Sequence, residues 1–209
     1  MRPPAHQRVP APRGARALRL ALVTLTLSLI QGCAAVTVQA PPEPDDPVTV
    51  ALLDHGRHSS LVLPTENADI WRRYSYGDWA FYVERRTGPL VGLAGLFLPT
   101  RGGLGRQTLT GPELAGAVEH QLRVPLEELY PLIVTRERVT RLREELEAIW
   151  ETGNDDRAQS TEWDMAFVEH PESYTLFNNS NRMVARWLQA LEIDVSRPPI
   201  LSNWHVEPP

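Results

Sequence analysis

The sequence contains no lysine, so all 21 of its basic residues are arginines. That removes Schiff-base chemistry and a lysine general base. Cysteine occurs once, at Cys33, which leaves no partner for an intramolecular disulfide and no set of thiolates for a structural zinc site. No apolar run is long enough for an ordinary membrane-spanning helix. The longest, from Leu20 to Ile30, is too short for a bilayer core. Acidic residues are missing from the first 32 positions, and their absence gives that segment its meaning.

Arg2, Arg8, Arg13, Arg16 and Arg19 form a basic stretch ahead of the apolar run, the charge order of a secretory signal. The run ends in Leu29-Ile-Gln-Gly-Cys33, which resembles a bacterial lipobox. It implies a signal peptide over 1–32, lipid attachment at Cys33 and an envelope location. With Ala34 and Ala35 after the cysteine, the expected site is the outer membrane, facing the periplasm. An uncleaved N-terminal anchor is the alternative. From Cys33 onward, 16 arginines stand against 26 acids, a formal charge of −10. That balance argues against nucleic acid as a partner.

Residues 33–47 are rich in proline and acid and read as a lipidated tether, with one domain over 48–209. Strands are expected at 48–53 and 58–63, joined by the turn Asp54-His-Gly-Arg57, with Gly56 free to take positive φ. Alternation puts His58, Ser60 and Val62 on one face and Ser59, Leu61 and Leu63 on the other. A short helix is expected near Thr65 or Asn67. Further strands are expected at 78–84, 118–124, 132–134, 165–168 and 174–177. A buried helix ending at Pro99, a glycine-rich loop at 101–106 and a loop at 151–160 complete the middle of the chain. The clearest helix covers 136–151, where Val139, Leu142, Leu146 and Ile149 make one apolar stripe. The last helix covers 179–192. The expected class is α+β with a mostly antiparallel sheet.

On that last helix Val184, Trp187, Leu188 and Leu191 form the stripe, and Ser180 falls on the same side in the first turn. A side chain there meets unpaired N–H groups and the positive end of the helix dipole. Two readings follow. Ser180 is a nucleophile position, or it is one of three adjacent residues, with Asn178 and Asn179, suited to capping the helix.

Three segments in this order, Asp54-His-Gly-Arg-His-Ser-Ser-Leu-Val-Leu-Pro64, Tyr76-Gly-Asp-Trp-Ala-Phe-Tyr82 and the run from Ser173 to Val195, resemble the bacterial family called domain of unknown function 2459. His55, Gly56, His58, Gly77, Asp78, Phe81, Tyr82, Tyr174, Asn178 and Asn181 carry the match. Arg57 and Ser59 stand where the family has Trp and Thr, and Ser180 stands at its cysteine. The order of a histidine before a strand and a nucleophile at a distant helix start also resembles a permuted papain-like fold of the NlpC/P60 kind. The resemblance implies His58 as base, Ser180 at the nucleophile position, and Asp78 or a polar group near the start of the domain as the group orienting the imidazole. His55, Asn178, Asn181 and Tyr174 would line the site. A serine hydroxyl needs a better aligned base than a thiol does. The expected protein is therefore a catalytically inactive module that binds an envelope ligand, a cell-wall peptide or an acyl chain. A Ser180/His58 amidase or esterase and a purely structural lipoprotein are the alternatives. No cofactor is expected, and no metal, because His55 and His58 flank a turn with no third ligand spaced near them.

Overall fold

The computed structural model describes residues 35–86, 98–153 and 157–208. Cys33, the basic segment before it and nearly all of the helix expected before Pro99 lie outside these residues. The described chain is α+β, with a seven-stranded antiparallel sheet at its centre. The strands are β2 (Pro47–Asp54), β3 (Ser59–Pro64), β4 (Ile70–Asp78), β5 (Thr100–Thr110), β6 (Glu128–Thr135), β7 (Ala158–Ser160) and β8 (Met165–Tyr174), in the order β6-β2-β3-β4-β5-β8-β7. A second sheet has β1 (Val36–Gln39) at its centre, parallel to β10 (Trp204–Val206) and antiparallel to β9 (Asp194–Val195). The helices are α1 (Trp79–Tyr82), α2 (Leu114–Gln121), α3 (Arg136–Thr152) and α4 (Ser180–Ala190).

Alternation divides the large sheet into two apolar faces. Val50, Leu52, Leu61, Leu63, Tyr74 and Tyr76 point one way and pack with the stripes of α3 and α4. Ala51, Leu53, Val62, Trp71 and Leu109 point the other way, beneath Leu114, Ala117 and Val118 of α2. Beside that second group Trp79, Tyr82, Met165 and Phe167 form a smaller cluster. Full burial of each leucine contributes about 1.5–3 kcal/mol, so the first face, closed by two helices, holds most of the stability.

Several sequence expectations are corrected. Val36 and Val38 are buried in the main core, so residues 36–39 are a strand of the fold and not part of a free tether. No helix forms near Thr65. A turn bridges β3 and β4 there, with Thr65 Oγ1 donating to the Ile70 carbonyl at 2.9 Å and Asn67 Oδ1 accepting from Asp69 N at 3.0 Å. Asp78 ends β4 and residues 79–84 are not a strand, because Asp78 accepts from Phe81 N at 2.7 Å and caps α1. The glycines of 101–106 lie inside β5, where Gly105 makes room for the ring of Phe167. The strand expected at 118–124 is largely the end of α2, the one expected at 165–168 runs on to Tyr174 as β8, and residues 175–177 are a turn rather than a strand.

Candidate functional site

The turn between β2 and β3 has the expected form. His55 N donates to the His58 carbonyl at 3.0 Å, leaving Gly56 and Arg57 as a two-residue loop, and Gly56 has φ of 84°. A glycine with positive φ at the first loop position suits a twisted hairpin. His55 and His58 therefore oppose each other and share the face of Leu53, Ser60 and Val62. Their rings stack, with centroids 4.6 Å apart and planes at 20°.

His55 is held on both nitrogens. Nδ1 lies 2.8 Å from the Pro125 carbonyl, which can only accept, so Nδ1 carries the proton. Nε2 is then the acceptor for Ser60 Oγ at 2.9 Å and Arg73 Nη2 at 3.3 Å. Arg73 also donates to Ser60 Oγ at 3.0 Å and to Gln107 Oε1 at 3.0 Å. It is 1% exposed, and among the described residues no carboxylate pairs with it. Burial of this cation lowers its pKa to about 10. Burial, followed by the charge of Arg73, lowers His55 to about 3 and His58 to about 4. Both rings are neutral at pH 7.

His58 meets Trp163 edge-on at 5.7 Å and Tyr82 at 6.3 Å between centroids. Tyr82 packs on Trp163 at 4.9 Å and stacks on Phe167 at 5.5 Å. Its ring covers Gly77 so closely that a Cβ there would collide with it. Burial pushes the Tyr82 phenol upward. Among the described residues, neither the His58 ring nor the Tyr82 hydroxyl makes a hydrogen bond. Asp78 does not reach His58. One carboxylate oxygen caps α1 and the other accepts from the Thr100 hydroxyl.

Ser180 belongs to the other face. It is the first helical residue of α4, 5% exposed, and it is not the cap. Asn179 is, with Oδ1 accepting from Arg182 N at 3.0 Å while Nδ2 donates to the carbonyls of Leu176 at 3.1 Å and Ile200 at 2.9 Å. Asn181 ties the helix start to the hairpin. Its Oδ1 accepts from Ser59 Oγ at 2.9 Å and its Nδ2 donates to the Arg57 carbonyl at 3.2 Å. Ser59 also accepts from Trp204 Nε1 at 2.6 Å, and the Ser202 hydroxyl bonds to Asp54. Asn178 Nδ2 donates to the Ser173 carbonyl at 2.7 Å and to the Tyr76 hydroxyl at 3.3 Å. Tyr174 lies 5.9 Å from Tyr76 between ring centroids, and burial, followed by the charge of Asp78, raises its pKa to about 12.

The candidate residues thus gather at one end of the sheet but divide across its faces. Ser180, Asn178, Asn181 and Tyr174 lie on the α4 side. His55 and His58 lie on the other, and no hydrogen bond joins Ser180 to His58. Sequence reasoning missed Arg73 and Trp163 around the imidazoles, and it named Tyr82 only as part of the resemblance, not as a site residue. The alternation of Trp71, Arg73, Ser75 and Gly77 in β4 was the available signal for Arg73. Among the described residues no group of three or more His, Asp or Glu is arranged to hold a metal ion. The chain matches no family model, no curated protein and no solved structure.

Proposed function

We propose that this is a lipid-anchored protein of the bacterial envelope whose domain binds a ligand without turning it over. The resemblance to a papain-like hydrolase family supplies the ancestry, and Ser180 marks the lost nucleophile. What supports the reading is that no hydrogen bond joins Ser180 to His58, and that α4 is tied through Asn181 to Ser59, which leaves its strand on the face opposite His58. A base must stand within hydrogen-bond reach of the proton that it removes, directly or through one water. His58 instead stacks on His55 over a buried arginine, with its pKa lowered to about 4, well below a useful general base at neutral pH. The carboxylate of Asp78, which would orient the ring, is spent on a helix cap and a threonine. The partially exposed end of this cluster, with Phe81, Trp163 and His58 around Tyr82, offers an apolar surface with two unbonded polar groups, the makings of a ligand contact. An acyl chain or a cell-wall peptide fits that chemistry. The test is exposure of the purified protein to a fluorophosphonate and to activated esters. No labelling at Ser180 and no hydrolysis above the Ser180→Ala background are expected. Stoichiometric labelling at Ser180 that His58→Ala abolishes would restore the serine hydrolase reading.

A further inference from the structure

The sheet end that carries the β2–β3 hairpin gathers nearly all of the exposed large apolar side chains among the described residues. Phe81 is 41% exposed, Leu98 61%, Phe177 65%, Ile200 37% and Leu201 50%. Hydrogen bonding shows that they share this end. Asp78 accepts from both Phe81 N and Thr100 Oγ1, which sets Phe81 beside the chain arriving from Leu98. Thr100 pairs with Tyr174, the last residue before the turn that exposes Phe177. Asn179 then ties the Leu176 and Ile200 carbonyls together, which brings Phe177 next to Ile200 and Leu201. Ile133, also exposed, sits elsewhere, opposite Thr49 on the edge of the sheet.

The chain joins the fold at this same end. Val36 N donates to the Asn203 carbonyl at 2.9 Å, two residues from Leu201, and Ser202 bonds to Asp54 at the hairpin. Cys33 precedes Val36 by three residues, a reach of about 10 Å of extended chain. Arg57 and Arg85, both exposed and without an ion pair among the described residues, belong to the same end. Exposed aromatic and aliphatic side chains beside free cations are the composition of a surface that lies in a bilayer interface.

We infer that Phe81, Leu98, Phe177, Ile200 and Leu201 form a docking face for the lipid bilayer, so that the anchored domain stands with its hairpin end against the membrane. This rests on the lipid-anchor reading of Cys33. It also turns the His58 cluster toward the headgroups, which favours an acyl ligand drawn from the membrane over a soluble one.

The test uses the full chain, purified from membranes and reconstituted in vesicles of phosphatidylethanolamine and phosphatidylglycerol. Phe177→Cys, Leu201→Cys and, at the opposite end in the β3–β4 turn, Ala68→Cys are labelled one at a time with an environment-sensitive fluorophore. The intact mass of the unsubstituted chain reports lipid on Cys33 separately. Expected are blue-shifted emission and quenching by lipid-borne nitroxide at positions 177 and 201, with water-like emission at 68. Water-like emission at all three positions, with the lipid mass present, overturns the docking face and leaves the anchor standing. Absence of both lipid mass and membrane association overturns the docking face together with the anchor.

Discussion

Ser59 and Asn181 are hydrogen-bonded at 2.9 Å across 122 positions of sequence, and that bond fixes the start of α4 to the sheet face away from the His58 ring. His58 and Ser59 are neighbours in the chain, so their side chains leave β3 in opposite directions. Whichever of the two meets α4 excludes the other. Ser59 meets it, with the Trp204 indole on the same hydroxyl. The helix that starts at Ser180 is thereby paired with a serine rather than with an imidazole.

The cap of α4 separates two adjacent residues by their effect on stability. Asn179 satisfies Arg182 N and also holds two carbonyls from different loops. Asn179→Ala is expected to cost about 1–2 kcal/mol, read as a lower urea midpoint. Ser180→Ala removes a hydroxyl that bonds to nothing described and is expected to change stability by about 0.5 kcal/mol or less. Equal losses at the two positions would return the cap to Ser180.

Introducing a thiol at position 180 tests the geometry from the other direction. In a background lacking Cys33, Ser180→Cys places sulfur at a helix start, where the dipole favours thiolate. Its alkylation rate at neutral pH is expected to be the same with and without His58→Ala, because the imidazole lies on the far face. A rate that falls several-fold on removing His58 would show that the two positions meet.

The boundary of the domain is equally exposed to measurement. Val36 and Val38 are 1% and 0% exposed, and β1 is the middle strand between β9 and β10. Val38→Ala is expected to cost about 1–3 kcal/mol through lost burial and a residual cavity. A chain beginning at residue 48 loses this strand altogether and should show no cooperative urea transition, whereas one beginning at residue 35 should. Equal transitions for both would make β1 dispensable.

The parts of this fold that were legible in the sequence are those where local pattern and tertiary packing agree. The stripe of α3, the hairpin at Gly56 and the alternation of β3 all follow from period and turn chemistry. The errors fall where packing overrides propensity. Glycines at 102, 103 and 105 suggest a loop, but β5 uses them as a floor for Tyr76, Trp79 and Phe167, rings supplied by distant segments. The run from Asp78 to Glu84 has the composition of a strand, yet Asp78 caps a single helical turn that aims Tyr82 back over Gly77. β1 is four residues beside a proline-rich stretch, and only the C-terminal strands that flank it reveal it as core. At the site, the sequence supplied the residues and the alternation of their faces. It did not supply the side on which α4 packs, because that choice is made by hydrogen bonds more than a hundred residues apart.

Acid sensitivity is the last measurable consequence, and it originates in the burial of the two imidazoles, with the charge of Arg73 second. His55 and His58 have folded pKa values lowered to about 3 and about 4, against 6.5 for a free imidazole. Between those values the unfolded chain binds protons that the folded chain refuses, so stability falls as the pH falls. Above about pH 6.5 both states hold neutral rings and these two groups add no pH dependence. On acidification the loss begins near 6.5 and continues down to about 4 for His58 and about 3 for His55, with a slope approaching two protons per molecule. Urea midpoints at pH 7.5, 6 and 5 would read it, and His55→Asn should remove about half of the slope whatever it does to absolute stability. Arg73→Met separates the two causes. Burial, the larger one, remains, while the second-ranked charge is gone. Imidazole resonances followed by NMR should therefore titrate at higher pH than in the parent chain, yet still below 6.5. Unchanged titration in Arg73→Met would mean that the guanidinium is screened from both rings, and the stacked pair would then owe its neutrality to burial alone.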